Sequence, residues 1–486
     1  MAKRVAVIDI GSNSIRMVVY EKTSRYAFHI LHEEKSKVRL SENAYKHDGD
    51  LQADPMRRTY DALSDFVNIA QSFKVRKTLC VATSALRDAP NKKDFLKKVQ
   101  DGLKLNIKVI DGLQEAYYGA MACVNLLPRL SSALSVDIGG GSTEFSLIND
   151  QEISGGVSLN IGTVRLKELF FDDNDLSGAT KYVDSQLSFL DAIDVSTLVG
   201  IGGTFRAISS SVMQQSHYPL NKLHGYDYST KVFKKTISNI LKADENELIK
   251  LGVKSNRLDV IKPGALILER VLNKIKSKNI ITSGVGVREG VYLGDLLRTS
   301  KDRFPHNYNA SVKYILDSYV EDKTYSNQLN SLSKQLFDLT SDYLKIESKY
   351  RYELGLAAKL YPAGGSVHFY SQNKHTYYLI QSALEYGFTH QSIMLIATLT
   401  RFAKSRLPAS THLRTYKKLL PSENVTNALS FILSLSVALL SHRPRNVDFN
   451  LKFNDGELVV ESVNNLYLSR DAVDKLDCDR KFKIKF

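Results

Sequence analysis

Only three cysteines occur in the 486 residues, Cys80, Cys123 and Cys478. Their number is odd and no two have metal-ligand or redox spacing, which excludes a disulfide framework and the usual zinc patterns. A reduced intracellular setting is therefore expected. Long apolar runs are also missing: the longest, Ala428 to Leu440, is too short to cross a bilayer and carries three serines. The chain passes from Met1-Ala2-Lys3-Arg4 directly into a strand-like run, so no secretory leader is expected, and a cytoplasmic protein without a membrane partner is. There is no low-complexity linker. Zinc-finger spacing and an aromatic-rich RNA signature are absent as well, so nucleic acid is not an expected partner. The net charge of +14 suits a polyanion, but charge alone does not choose among nucleic acid, membrane surface and a small polyanionic substrate.

What the chain does have is one segment written twice. Val5-Ala6-Val7-Ile8-Asp9-Ile10-Gly11-Ser12-Asn13-Ser14-Ile15-Arg16 and Ala133-Leu134-Ser135-Val136-Asp137-Ile138-Gly139-Gly140-Gly141-Ser142-Thr143-Glu144 share a plan. Each is an apolar strand, an Asp, a turn of small residues, and a second apolar strand (Met17 to Tyr20, Phe145 to Ile148). The glycines admit backbone approaches that a side chain would block, and successive turn amides form a concavity for phosphate oxygens. Ser12, Asn13 and Ser142 add donors. Asp137 and Glu144, on the two arms of the second hairpin, are near enough to share a hard cation such as Mg²⁺, and their register matches in the first copy are Asp9 and Arg16. A hairpin turn without function is the alternative for either copy alone; the repetition at matched register, about 128 positions apart, favours a phosphate clamp.

The segments between the copies alternate in type. Tyr60, Leu63, Phe66, Val67, Ala70 and Phe73 fall at helical spacing. A strand Thr78 to Ala82 ends in Thr83-Ser84-Ala85-Leu86-Arg87, a helix over Lys92 to Leu103 has Asn91 as its N-cap, and Ile107 to Ile110 is a strand. Asp111-Gly112-Leu113-Gln114 then turns into a helix near Glu115. After the second copy come Gly200-Ile201-Gly202-Gly203-Thr204, a helix started by Pro263 and running to about Lys276, a strand Asn279 to Thr282, and Ser283-Gly284-Val285-Gly286-Val287-Arg288-Glu289-Gly290. Two α/β lobes with a cleft between facing turns are expected. From about Arg303 to Ser441 helical periodicity dominates. Val447 to Glu461 reads as a β-hairpin, and a helix over Arg470 to Leu476 and a strand Phe482 to Phe486 complete a small α+β cap. The expected domains are 1–120, 121–300, 301–443 and 444–486, and the amphipathic helices of the C-terminal region offer a surface for a homodimer.

Taken together, the two Asp-Ile-Gly hairpins, Thr83 to Arg87, Gly112 to Ala116, Gly202-Gly203-Thr204 and Val287 to Gly290 resemble the exopolyphosphatase and guanosine pentaphosphate phosphohydrolase family. That family lies within the superfamily of acetate and sugar kinases, heat-shock chaperones and actin. The resemblance implies two actin-like (RNase H-like) lobes, then an α-helical HD-like domain and the cap. It also implies Mg²⁺-dependent hydrolysis of the terminal anhydride of inorganic polyphosphate, releasing phosphate processively, and/or conversion of pppGpp to ppGpp. By the resemblance Glu115 orients and deprotonates water. Its place in the first turn of a helix suits that role, although ordinary capping would put a Glu there too. Asp137, Glu144 and Arg87 would share the catalytic work. Gly11, Ser12, Asn13, Arg16, Gly139, Gly140, Gly141, Ser142, Gly202, Gly203 and Thr204 would hold phosphate, and Asp137, Glu144 and Asp9 the metal. Arg288 and Glu289 are expected to brace the interlobe turn, and Arg257 and Lys262 are candidates for reading a guanosine. A sugar-kinase-like enzyme and a catalytically weak sensor of the same ligands are the competing readings. Where the helical domain's relatives carry a His-Asp metal dyad, this chain has Leu360-Tyr361-Pro362-Ala363-Gly364. His368 and His375 are left as packing or polyanion contacts, and Lys417 and Lys418 as part of a basic channel for long polyphosphate.

Overall fold

The computed structural model describes residues 3–404, 406–476 and 481–486. Cys478 and Arg480 lie outside the described residues. The chain divides into two compact units, Met1–Tyr308 and Asn309–Phe486.

The first unit holds two sheets. One contains β1 (Arg4–Ile10), β2 (Ile15–Lys22), β3 (Phe28–Ser36), β4 (Lys77–Ala82) and β5 (Ile107–Val109), in the order β3-β2-β1-β4-β5. The other contains β6 (Ser132–Ile138), β7 (Thr143–Asn149), β8 (Glu152–Leu159), β9 (Thr197–Ile201), β10 (Tyr226–Ser229) and β11 (Asn279–Thr282), in the order β10-β11-β9-β6-β7-β8. The two sheets repeat one design. In each, the Asp-bearing strand pairs antiparallel with the strand after its turn and parallel with a strand that leads to a helix: β1 with β2 and β4, β6 with β7 and β9. Helices cover the sheets, so β1 and β6 are apolar on both faces, as parallel-paired central strands must be. Ile8, Ile10, Met17, Leu63 and Phe66 build the core of the first lobe. Leu134, Phe145, Phe205 and Phe233 do so in the second.

Two helices join the lobes. The helix Gly112–Leu126 lays Ala120, Cys123 and Val124 against Val199 and Ile201 of the second sheet. The helix Val287–Leu296 crosses it closely, and a Cβ on Gly290 would stand 2.0 Å from the Tyr118 carbonyl oxygen.

The structure departs from expectation at three places in this unit. Pro263 does not begin its helix, which runs over Leu258–Lys274 with the proline inside it, because a 3₁₀ turn at Ser255–Arg257 starts the coil earlier. Asn91 precedes the helix Lys92–Leu103 but does not cap it through its side chain; its amide instead accepts from Leu51 N at 3.0 Å and donates to Leu51 O at 2.9 Å. Strands β3, β8 and β10 and the loop over residues 37–50 were not anticipated.

The second unit is helical up to Leu439 and then forms a three-stranded sheet, β12 (Asn450–Asn454), β13 (Glu457–Glu461) and β14 (Lys483–Lys485), with β14 parallel to β13. A helix Tyr467–Asp474 lies between β13 and β14. At the position of the missing His-Asp dyad the helix Arg351–Leu360 runs into a 3₁₀ turn, Tyr361–Ser366. There Gly364 N donates to Thr376 Oγ1 at 2.9 Å, and a Cβ on Gly364 would meet the Gln372 carbonyl oxygen at 2.1 Å. Backbone packing fills that place. Among the described residues no group of three or more His, Cys, Asp and Glu is arranged to hold a metal ion, and no helix is long and apolar enough to cross a membrane.

Candidate active site

The duplicated hairpins have matching geometry. Gly11 N donates to Ser14 O at 3.2 Å and Gly139 N to Ser142 O at 3.0 Å, the same turn closed in the same way. Asp9 pairs across its hairpin with Arg16, and Asp137 with Glu144. Paired residues of an antiparallel ladder share a face, so one hairpin presents a carboxylate and a guanidinium and the other two carboxylates.

The two turns meet. A Cβ on Gly140 would lie 2.7 Å from Ser12 Cβ, and one on Gly141 would lie 2.3 Å from the Tyr45 hydroxyl and 2.8 Å from Ser84 Oγ. Ser12 and Ser84 share a hydrogen bond of 3.0 Å. Only glycine permits this approach. Beside the contact opens a cleft of about 150 Å³. Asp9, Gly11, Ser12, Asn13, Arg16, Glu115, Asp137, Gly139, Gly140, Gly202, Gly203 and Thr204 line it. Gly202 takes φ +86°, in the left-handed region, where a Cβ would strike Asp137 Oδ1 at 2.6 Å. It begins the helix Gly202–Gln215, so that helix's free N-terminal amides open on the cleft.

Glu115 sits in the first turn of the helix Gly112–Leu126, whose start is fixed by Asp111 accepting from Gln114 N at 2.8 Å. It is buried yet forms part of the cleft wall. Arg87, on the short helix Ser84–Asp88, donates to Glu115 Oε2 at 2.8 Å. Burial holds the Glu115 carboxyl well above the ordinary glutamate range, the nearby Glu144 charge adds to that, and Arg87 opposes it.

Glu144 and Arg87, with Gly141 and Ser142, stand just behind the wall and do not line it. Glu144 accepts from Ser158 Oγ at 2.7 Å through Oε1, while its buried Oε2 has no partner. Burial pushes the Glu144 carboxyl up to about 7 and the Asp137 carboxyl up to about 6. Asp9 is raised as well, again chiefly by burial.

Four arginines face these acids: Arg16, Arg206, Arg257 and Arg288 all line the cleft. Burial lowers Arg206 to about 10, and the neighbouring Arg16 and Arg288 charges push the same way. Arg16 and Arg257 are lowered too, by burial first. Lys35, paired with Arg16 on β3, falls to about 8 by burial and by the guanidiniums of Arg16, Arg257 and Arg206. Arg288 donates to Glu33 at 2.6 Å, and Glu289 accepts from Gly286 N at 2.8 Å and from Tyr20 OH at 3.1 Å. Those bonds brace the interlobe helix as anticipated, and both side chains also reach the cleft. Lys262 does not line it. Arg206 and Lys35 escaped the sequence reading. Arg206 follows Gly-Gly-Thr by two positions, a signal that placement in the first turns of a phosphate-facing helix would have carried.

A cleft of turn amides, buried acids and buried arginines between two equivalent lobes defines a phosphate-handling member of the actin-like fold class. The sequence profile of the Ppx/GppA phosphatase family matches residues 18–299, and that of Ppx/GppA phosphatase, domain III, matches residues 309–479. The chain belongs to the Ppx/GppA phosphatase family. It is 25% identical over 469 residues to a guanosine-5'-triphosphate,3'-diphosphate pyrophosphatase of Photobacterium profundum, covering 94% of this chain and 90% of that one. A bifunctional 3-dehydroquinate synthase/phosphatase of Fusobacterium nucleatum is 32% identical over 296 residues, 57% of this chain and 44% of the relative. Among solved structures, an exopolyphosphatase from Cytophaga hutchinsonii superposes with TM-score 0.57 at 26% identity, covering 62% of this chain and all of that one. The Aquifex aeolicus member of the Ppx/GppA family gives 0.53 at 29% identity, covering 62% and 99%.

Proposed function

We propose that this phosphatase hydrolyses the terminal phosphoanhydride of inorganic polyphosphate, with pppGpp as the second candidate substrate. The observation that carries the reading is Glu115 in the wall of a cleft whose other walls are the amides of two equivalent turns. Hydrolysis of an anhydride needs an oriented water, a base for its proton, and positive groups around the transferring phosphoryl. Glu115 is the base: burial raises its proton affinity and so makes the ionised carboxylate a stronger proton acceptor. Arg87 holds the Glu115 carboxylate in place. The turn amides and Arg16, Arg206, Arg257 and Arg288 take the charge of the phosphate chain. Proton transfer from water to the Glu115 carboxylate then accompanies attack on the terminal phosphorus, the bond from that phosphorus to the bridging oxygen breaks, and the shortened chain leaves carrying that oxygen while the terminal phosphoryl becomes inorganic phosphate.

The donor set fits Mg²⁺. Asp9 is raised chiefly by burial, Asp137 by burial and by the Asp9 charge, and Glu144 Oε2 is buried without a partner; oxygens in that condition suit a hard cation that takes its remaining ligands from phosphate and water. No three acids converge on one point among the described residues, so Asp9 and Asp137 would hold it in the manner usual for Mg²⁺, one or two carboxylates together with the substrate's phosphates. When bound, it would supply positive charge that draws electron density from the transferring phosphoryl group.

Polyphosphate is favoured because, among the described residues, no aromatic side chain lines the cleft, so a guanine would find no ring to stack on there. Several curated relatives matched along most of the chain are named for pppGpp, which keeps that substrate in the test. Phosphate release from polyphosphate and from pppGpp is measured with Mg²⁺, for the native chain and Glu115→Gln. Release from polyphosphate that falls about 10²–10⁴-fold in the variant is expected. Undiminished release sinks the assignment of the base, tight binding without turnover would make the chain a sensor, and a strict need for an acceptor hydroxyl would make it a kinase.

A further inference from the structure

The second unit carries a surface that hydrolysis does not use. Between Leu354 and Ser422 the sequence holds eight Lys and Arg (Lys359, Lys374, Arg401, Lys404, Arg406, Arg414, Lys417, Lys418) against one acid, Glu385. That stretch therefore supplies seven of the chain's fourteen net positive charges. Within it the turn after Gly365 projects outward: Val367 is 55% exposed, Phe369 72% and Tyr370 76%, and Tyr378 on the next helix is 68% exposed. Lone exposed apolar residues need no explanation; a cluster with cations around it does.

The cations are held beside the aromatics by the packing of this unit. The helix Gln372–Ala383 carries exposed Lys374 and Tyr378. Its Asn373 donates to Arg401 O at 2.5 Å, and its Tyr377 meets Tyr416 OH at 3.3 Å, next to exposed Lys417 and Lys418. Arg401 lies over the Tyr377 ring at 4.7 Å. The helix that directly follows the knuckle of Val367, Phe369 and Tyr370 thus carries Lys374 and packs beside Arg401 and the turn bearing Lys417 and Lys418.

We propose that this knuckle and its basic rim bind the surface of an anionic lipid bilayer. Charge complementarity selects an anionic partner, and the apolar side chains select one with an apolar layer beneath its charge. Phe369 and Tyr370 cross at 79°. Such a pair makes a wedge for the headgroup boundary and not the flat platform on which nucleobases stack. A phosphate polymer alone would leave Val367 and Phe369 without use. The contact goes beyond the hydrolytic reading, and it departs from the sequence-based expectation of no membrane partner.

The test is sedimentation of the full chain with vesicles of phosphatidylcholine alone and of phosphatidylcholine mixed with phosphatidylglycerol, and in parallel with single-stranded polyadenylate. Binding to the anionic vesicles only, lost at high salt, is expected. It should weaken by roughly tenfold or more in Phe369→Ser/Tyr370→Ser and in Lys374→Glu/Lys404→Glu, while phosphate release in the absence of vesicles stays unchanged and shows that the variants fold. No binding to either vesicle, or equal binding by the variants, overturns the proposal. Binding to polyadenylate with vesicles ignored overturns it in favour of nucleic acid.

Discussion

A base that takes a proton from water must be ionised beforehand, and burial works against that at Glu115. Arg87 is the counterweight, because its guanidinium favours the carboxylate form. Glu115 has its proton affinity raised, so the enzyme is inactive where the carboxyl is protonated, and activity rises as pH passes upward through the Glu115 value. Arg87→Leu removes the lowering charge. The acid limb of the pH profile of kcat should move upward by about 1–3 pH units, besides any loss of affinity for phosphate. A limb that stays in place would mean that Arg87 serves the substrate alone. Single residues were also where the sequence was least legible. The paired acids and Arg16 could be placed because a strand has a period of two and a tight turn fixes register. Lys35 could not, since one cation on an edge strand has no pattern until tertiary packing brings it near the arginines of the site, and Arg206 was signalled only by its position two residues after Gly-Gly-Thr.

The unit of construction is the hairpin turn, and its glycines give a test with an internal control. A methyl on Gly140 would press on Ser12 Cβ at 2.7 Å and wedge the two turns apart, whereas a methyl on Gly155 in β8 meets nothing within 4 Å. Gly140→Ala should raise KM for polyphosphate and cost about 1–3 kcal/mol in thermal or denaturant unfolding. Gly155→Ala should stay within about 0.5 kcal/mol of the native chain. Equal effects would show that the close approach of the turns is not what shapes the cleft. A second test concerns the helix that presents Glu115. Asp111→Ala removes the side-chain cap and should cost about 1 kcal/mol; kcat should fall more than that loss of stability explains, because the first helical turn loses its anchor. Duplication made these elements legible, since two copies of Asp-Ile-Gly at the head of an apolar run define both strand and turn. Strands β3, β8 and β10 were missed for the opposite reason: β3 and β8 are half-exposed edge strands, paired only with the strand just before each, and β10 is held by pairing with the distant β11, so no strong local pattern announces them. Pro263 misled because proline is common in first turns, whereas here the buried helix begins one turn earlier and tolerates it.

For the whole molecule, the cleft stores charge that the ligand-free fold holds at a cost. Asp9, Glu115, Asp137 and Glu144 all bind protons more tightly in the folded chain than in the unfolded one, with Asp137 at about 6 and Glu144 at about 7. The unfolded chain then carries fewer protons' worth of affinity, and stability falls as pH rises from the ordinary carboxyl range through about 7. Below that window the acids are neutral in both states and the penalty is absent. The buried arginines remain cationic throughout, as Arg206 is lowered only to about 10. Thermal melting of the ligand-free chain should therefore occur at lower temperature near pH 8 than near pH 5.5, after allowance for the slope of a Glu144→Gln variant, which should be flatter. Adding Mg²⁺ with inorganic phosphate should reverse the order. At pH 8 the ionised acids gain a cation and the arginines an anion, and a ligand at about a hundred times its Kd stabilises by about 2.7 kcal/mol; near pH 5.5 protonated acids take up little cation. A melting temperature that rises equally at both pH values would place Mg²⁺ and phosphate away from these four carboxyls.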